Sequence, residues 1–171
     1  MEIAARGAAT IRLATSEDCE VINEIYNHYV LTSTCTYQLE PEPIAARREW
    51  LARHGEQHPV TVAILDGAVV GWGSLSPWNS RAGYRRSVES SVYLRHDVHR
   101  RGLGRALLAD LIARARALGH HTVIAGIDAE QTASLALHRD AGMVEVARFR
   151  EVGNKFDRWL DVIYLQLSLG E

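Results

Sequence analysis

Lysine is nearly absent from this 171-residue chain: Lys155 stands alone among 19 basic residues, set against 21 acidic ones. We read the shortage as a coding preference for arginine. The net charge of -2 leaves no basic surplus to neutralise a phosphate backbone, which argues against a general nucleic-acid binder. Cysteine is equally scarce. Cys19 and Cys35 make no Cys-x-x-Cys pair and no Cys/His spacing suited to zinc. No apolar run approaches the roughly 18–20 residues of a membrane span. The opening stretch MEIAARGAAT is too short and too weakly apolar for a signal peptide, so a cytoplasmic protein with reduced thiols is expected. No Gly-Lys-Ser/Thr follows a glycine turn, which removes a triphosphatase phosphate loop.

What is present suits a soluble globular protein: 47% hydrophobic and 23% charged residues, at a length that fits one domain over residues 1–171. The most informative stretch is Val92–Leu108, VYLRHDVHRRGLGRALL. Val92 and Leu94 alternate with Tyr93 and Arg95, the period of a strand. Leu103, Leu107, Leu108, Leu111, Ile112, Ala115 and Leu118 recur at helical spacing. The helix therefore begins at Gly102 and Gly104. Its unpaired N–H groups carry partial positive charge, and glycine lets a ligand come close to them. Arg100 and Arg101 add forked donors that match phosphate oxygens. The stretch reads as a seat for a pyrophosphate.

Elsewhere, Thr10–Leu13 reads as a strand. Thr15 and Asp18 have capping-box character ahead of a helix carrying Val21, Ile22, Ile25, Tyr26 and Tyr29. Leu31–Glu40 reads as an ordered loop, and Pro43 starts a second helix that Pro59 stops. Val60–Leu65 and Ala68–Ser76 flank the hairpin turn Asp66–Gly67. Strands Ser87–Arg95 and Thr122–Ile127 bracket the helix that follows the glycines, and Gly119 ends that helix. A helix Thr132–Ala141 precedes two strands, Val144–Glu151 and Trp159–Ser168, around a turn at Gly153–Asn154. The order predicts one α/β domain with a mixed sheet and helices on both faces.

Gly-x-Gly after a strand also suits a dinucleotide fold, with Asp128 beyond the next strand as the ribose acid. Leu107 at the third glycine position, the seven-residue turn before Gly102, and the preceding hairpins count against it. A plain structural turn is the other reading. VYLRHDVHRRGLGRALL followed by LALHRDAGM resembles the acetyl-CoA signature of the GCN5-related N-acetyltransferases (GNAT). NHYVLTSTCTY, SPWNSRAGYRRSVESSVYL and GNKFDRWLDV are similar to the branch that acetylates phosphinothricin and methionine sulfoximine or sulfone. The resemblance implies a GNAT-like, mostly antiparallel mixed sheet. It implies acetyl-CoA as cosubstrate, its pantetheine on backbone groups of Val92, Tyr93 and Leu94, and its pyrophosphate on Arg100, Arg101, Gly102, Leu103, Gly104 and Arg105. His99, Gln131 and Met143 depart from the family's usual residues; Gln131 stands where an asparagine commonly contacts the cofactor.

The resemblance also makes Glu89 a candidate base that removes a proton from the incoming ammonium, directly or through water. Without it, a strand carboxylate reads as structural. His138 is brought beside the thioester, in a proton-relay or cofactor role, against a plain surface or capping residue. Neither Tyr93 nor Tyr164 can be assigned as the acid. Trp78, Arg81, Tyr84, Arg85 and Arg86, with Tyr37 as a cover, form the candidate acceptor pocket, since arginine forks suit a carboxylate, phosphinate or sulfone. An ordinary loop with solvated arginines is the other reading, favoured for at least two of the three. His54 and His58 lack a zinc-protease pattern, and no metal is expected. The function implied is acetyl transfer to the α-amino group of a small amino-acid-like compound by a homodimer. Transfer to another amine, or a non-catalytic acetyl-CoA sensor, are the alternatives.

Overall fold

The computed structural model describes residues 9–170, so most of the opening stretch read for a signal peptide lies outside the described residues. The elements are β1 (Thr10–Leu13), α1 (Cys19–Thr32), α2 (Ile44–Arg53), β2 (Val60–Leu65), β3 (Ala68–Pro77), β4 (Ser87–Leu94), α3 (Leu103–Ala117), β5 (Thr122–Asp128), α4 (Thr132–Asp140), β6 (Val144–Lys155) and β7 (Arg158–Ser168). The seven strands form one sheet in the order β1-β2-β3-β4-β5-β7-β6. Neighbours run antiparallel except β4 and β5, which are parallel and pair only from Ser87–Glu89 to Thr122–Ile124.

Strand alternation sends side chains to two helical layers. On one face Ile22 and Ile25 of α1 bury against Val60, Val62 and Trp72, with Trp50 and Leu51 of α2 packed beside them. On the other, Leu107 of α3 packs with Ala63 and Val70, and Leu111 and Ala115 with Leu75, Val88 and Val123. Leu135 of α4 joins that second core. The entry to α1 is fastened by Asp18, whose carboxylate takes the Thr15 N–H at 2.7 Å and both ends of the Arg12 fork at 2.6 and 2.8 Å.

Two boundaries differ from the sequence reading. The second helix stops at Arg53, well before Pro59. His54 leaves helical geometry there, ahead of Gly55, donating from Nδ1 to the Trp50 carbonyl at 2.8 Å and accepting from the Ser76 hydroxyl. The last hairpin turns at Phe156–Asp157, both left-handed at φ 53° and 55°, instead of at Gly153–Asn154. Gly153 is a packing glycine: a Cβ on it would lie 2.6 Å from Cδ2 of Tyr37. The expected Asp66–Gly67 turn is present, with both residues left-handed.

Candidate active site

Because β4 and β5 part after Glu89, a cleft of about 530 Å³ opens between them, lined by Ser90–Leu94 on one side and Ala125–Asp128 on the other. The ladder to β3 is anchored at its ends by Trp78 N–H to the Ser87 carbonyl and Arg95 N–H to the Val70 carbonyl. Alternation along an antiparallel pair then turns the main-chain groups of Val92 and Leu94 away from β3, into the cleft. Those of Tyr93 point to β3, and its ring stacks on Trp72 at 4.8 Å, so Tyr93 supports this wall from behind. The Leu94 carbonyl accepts the Tyr29 hydroxyl at 2.6 Å, and His99 Nε2 donates to that hydroxyl at 2.8 Å. His99, the departure from the family pattern, thus braces the cleft wall.

At the mouth of the cleft α3 begins. Gly102, at φ 78°, is its N-cap, no side chain caps it, and the Ala106 N–H to Gly102 carbonyl bond is 3.0 Å. The N–H groups of Leu103, Gly104 and Arg105 therefore precede the helical ladder and are free for an anion. Arg100, Gly102, Gly104 and Arg105 line the cleft. The Leu103 side chain is buried in the core, so its contribution there is its backbone. Arg101 is exposed and does not reach the lining. A Cβ at Gly104 would stand 3.3 Å from Leu137 and 3.7 Å from Leu94, the mark of a close-fitting cradle. This donor set fits a pyrophosphate joined to an extended amide-bearing arm.

The far wall carries His138, buried, with Nδ1–H donated to the Ser134 carbonyl at 2.8 Å. Burial holds its pKa below the usual histidine range. The ring is therefore neutral near pH 7, with Nε2 an acceptor. Gln131, at the start of α4, lines the cleft and donates to the Thr34 hydroxyl at 3.1 Å.

Glu89 lies on the α1/α2 face of the sheet. Its Oε1 stands 3.5 Å from the Cβ position of Gly126, an exposed residue that lines the cleft. Tyr164, opposite Gly126 in the ladder, presses on the same spot and meets Trp78 edge to face at 5.5 Å. Burial alone raises the Glu89 pKa above the ordinary carboxylate value. Trp78, Glu89 and Tyr164 thus gather on one face of the sheet beside Gly126.

Other candidates are placed differently. Arg85 and Arg86 stand away from this group, in a separate depression at the C-terminal end of α3, because Arg86 Nε donates to the Gly119 carbonyl at 2.9 Å. Arg81 and Tyr84 are exposed on the connection before β4. Tyr37 is a latch, not a free cover: its hydroxyl donates to the buried Asp128 carboxylate at 2.7 Å and its ring rests on Gly153. Sequence reasoning passed over Lys155. It is buried and donates to the carbonyls of Ser33 and Thr36 at 2.7 and 2.8 Å, pinning the loop after α1. Its isolation among eighteen arginines was the available signal.

Parted parallel strands, an open main-chain edge and an uncapped helix start beside them define an acyl-CoA-binding α/β enzyme. The Acetyltransferase (GNAT) family model matches residues 22–143, and the chain belongs to that family: it is an N-acetyltransferase that uses acetyl-CoA. It is 42% identical to the L-amino acid N-acyltransferase MnaT of Escherichia coli (strain K12), over 95% of each chain. It is also 42% identical to the L-methionine sulfoximine/L-methionine sulfone acetyltransferase of Salmonella typhimurium, again over 95% of each. A phosphinothricin acetyltransferase of Sinorhizobium meliloti, solved with acetyl-CoA, superposes with a TM-score of 0.89 at 37% identity, covering 95% of this chain and 89% of that one.

Proposed function

We propose that this enzyme acetylates the α-amino group of a small amino-acid-like acceptor of the methionine sulfone, methionine sulfoximine or phosphinothricin type. The observation that carries the reading is the half-buried Glu89 carboxylate beside Tyr164 and Gly126, the last of which lines the cleft. The names of the relatives support the acceptor class.

Acetyl-CoA supplies the acetyl group as a thioester and leaves as the thiol. The chain's own part begins with the main-chain groups of Val92 and Leu94 and the N–H groups of Leu103–Arg105, which hold and orient the cofactor. Glu89 takes the proton from the acceptor ammonium, directly or through water; a raised pKa makes its carboxylate a better base near neutrality. His138, neutral and with Nδ1–H committed to Ser134, offers Nε2 as an acceptor on the cofactor side, which argues against its acting as the resting acid. Trp78 and Tyr164 enclose the acceptor side chain.

The described residues share one sheet, which supports reading the chain as one domain. No helix among them is long and apolar enough to cross a membrane, and we read the enzyme as cytoplasmic. Exposed Phe149, Val152, Phe156 and Trp159 on β6–β7 favour a homodimer. The test is thiol release from acetyl-CoA across L-amino acids, methionine sulfone, methionine sulfoximine, phosphinothricin and polyamines. Turnover concentrated on the oxyanion-bearing amino acids is expected. Preference for a polyamine would overturn the acceptor class, and no thiol release with any amine would overturn catalysis.

A further inference from the structure

A second cavity, of about 540 Å³, lies at the opposite end of α3. Its lining brings together His58 from the α2–β2 loop, Arg85 and Arg86 from the connection before β4, and His120 from the α3–β5 turn, with no carboxylate among them. Fifteen helical residues, about 22 Å at 1.5 Å per residue, separate it from the glycine seat, so the cofactor's pyrophosphate cannot serve it.

Arginines on this molecule ordinarily meet an acid: Arg12 with Asp18, Arg48 with Glu20, Arg95 with Asp97, Arg114 with Asp110, Arg148 with Asp161. Among the described residues Arg85 and Arg86 do not, as Arg81, Arg100, Arg101, Arg116 and Arg150 do not; Arg85 and Arg86 differ from the exposed Arg81, Arg116 and Arg150 in lining a concavity. Arg86 is held in place by its Nε bond to the Gly119 carbonyl, and its two terminal nitrogens meet no hydrogen-bond partner among the described residues. His120 Nε2–H donates to the Gln57 carbonyl at 2.8 Å, fixing that ring at the cavity wall, and His58 stands 5.8 Å from it between ring centroids. Two arginines and two histidines thus converge on a concavity with no carboxylate among its described lining residues. The two guanidinium charges repel one another, a cost that solvent eases and a bound anion lowers further.

We propose that this cavity is a second, non-catalytic binding site for a small oxyanion, the carboxylate or phosphate group of a metabolite, held by Arg85 and Arg86 with His58 closing the cationic wall. Forked guanidinium donors suit either group. Proton linkage follows. His58 faces Arg85, Arg86 and His120, with His54 nearby on its own loop, and burial together with the two histidines holds its pKa below the usual range. An anion reverses that bias, so its binding takes up a proton and tightens as pH falls towards 6.

The test uses the full chain saturated with CoA, so that the pyrophosphate seat is filled. Sulfate, whose charge is constant near neutrality, is titrated at fixed ionic strength while the histidine Cε1–H signals are followed by NMR. His58→Gln identifies its signal. Saturable shifts of His58 and of a second histidine at one common midpoint are expected, with a higher His58 pKa when sulfate is bound. Arg85 is exposed and unpartnered, so Arg85→Glu keeps the fold and should weaken binding at least tenfold. Malonate and methyl phosphate titrated in the same way identify the preferred group. A non-saturating shift, or equal binding by Arg85→Glu, would overturn the site.

Discussion

Glu89 bears the chemistry most directly. Only the neutral amine has a lone pair to attack with, and burial has moved this carboxylate towards the pH at which a base is useful. The sign follows from the direction of the shift. Glu89 is the base only when ionised, so kcat/KM should rise with pH along a limb displaced above the ordinary carboxylate range. Glu89→Gln keeps the size and removes the base. Cofactor binding should survive, turnover should fall roughly a hundred- to ten-thousandfold, and the Glu89 limb should vanish, leaving only that of the acceptor amine. A wild-type pH profile in the variant would mean that the proton leaves by another route. Glu89 was legible by resemblance, because it sits a fixed distance before Val92–Leu94 on the same strand. Tyr164 was not. It reaches the site only because β7 inserts between β5 and β6, and local spacing does not record that insertion.

At the scale of elements, the loop after α1 is held from both sides of the molecule. Lys155, 122 residues away from Ser33, supplies an ammonium to carbonyls at the C-terminal end of α1, where a cation is favoured. Lys155→Met keeps the volume and strands the buried Thr36 carbonyl, at about 1–3 kcal/mol, and the half-buried Ser33 carbonyl at less. A lower urea midpoint together with a raised acceptor KM is expected; an unchanged midpoint would show that the loop holds without it. Tyr37 and Gly153 form the second fastening. Gly153→Ala drives a methyl into the Tyr37 ring, an overpacking worth about 1–3 kcal/mol. That cost should shrink sharply in a Tyr37→Ala background, a coupling that a double-mutant cycle on thermal stability reads directly. If Gly153→Ala costs the same in both backgrounds, the glycine is there for its backbone. The same contact explains the misplaced hairpin turn: a glycine required by a distant ring looks, in sequence, like a glycine required by a bend. The glycines at 102 and 104 were legible because their requirement is local, a helix start between arginines.

For the molecule as a whole, a mixed sheet with helices on both faces followed from periodicity and resemblance, but the sheet's outer surface did not. β6 is an edge strand that carries Phe149 and Val152 exposed at 52% and 58%, and the hairpin beyond adds Phe156 at 50% and Trp159 at 67%. An open edge invites strand pairing, yet β6 is interrupted between Phe149 and Gly153, with Glu151 at φ 50°. A second copy would therefore dock through these side chains more than by extending the sheet. Burying about 150 Å² of one tryptophan is worth roughly 4 kcal/mol at 25 cal/mol per Å², and a two-fold dimer buries Trp159 twice. Trp159→Glu should raise the dimer dissociation constant at least a hundredfold in sedimentation equilibrium while the monomer stays folded, since the side chain is mostly exposed within one chain. A wild-type protein that is monomeric throughout the measurable concentration range would remove the dimer. A dimer indifferent to Trp159→Glu would move the interface away from this hairpin, and the exposed row on β6–β7 would then lack a partner.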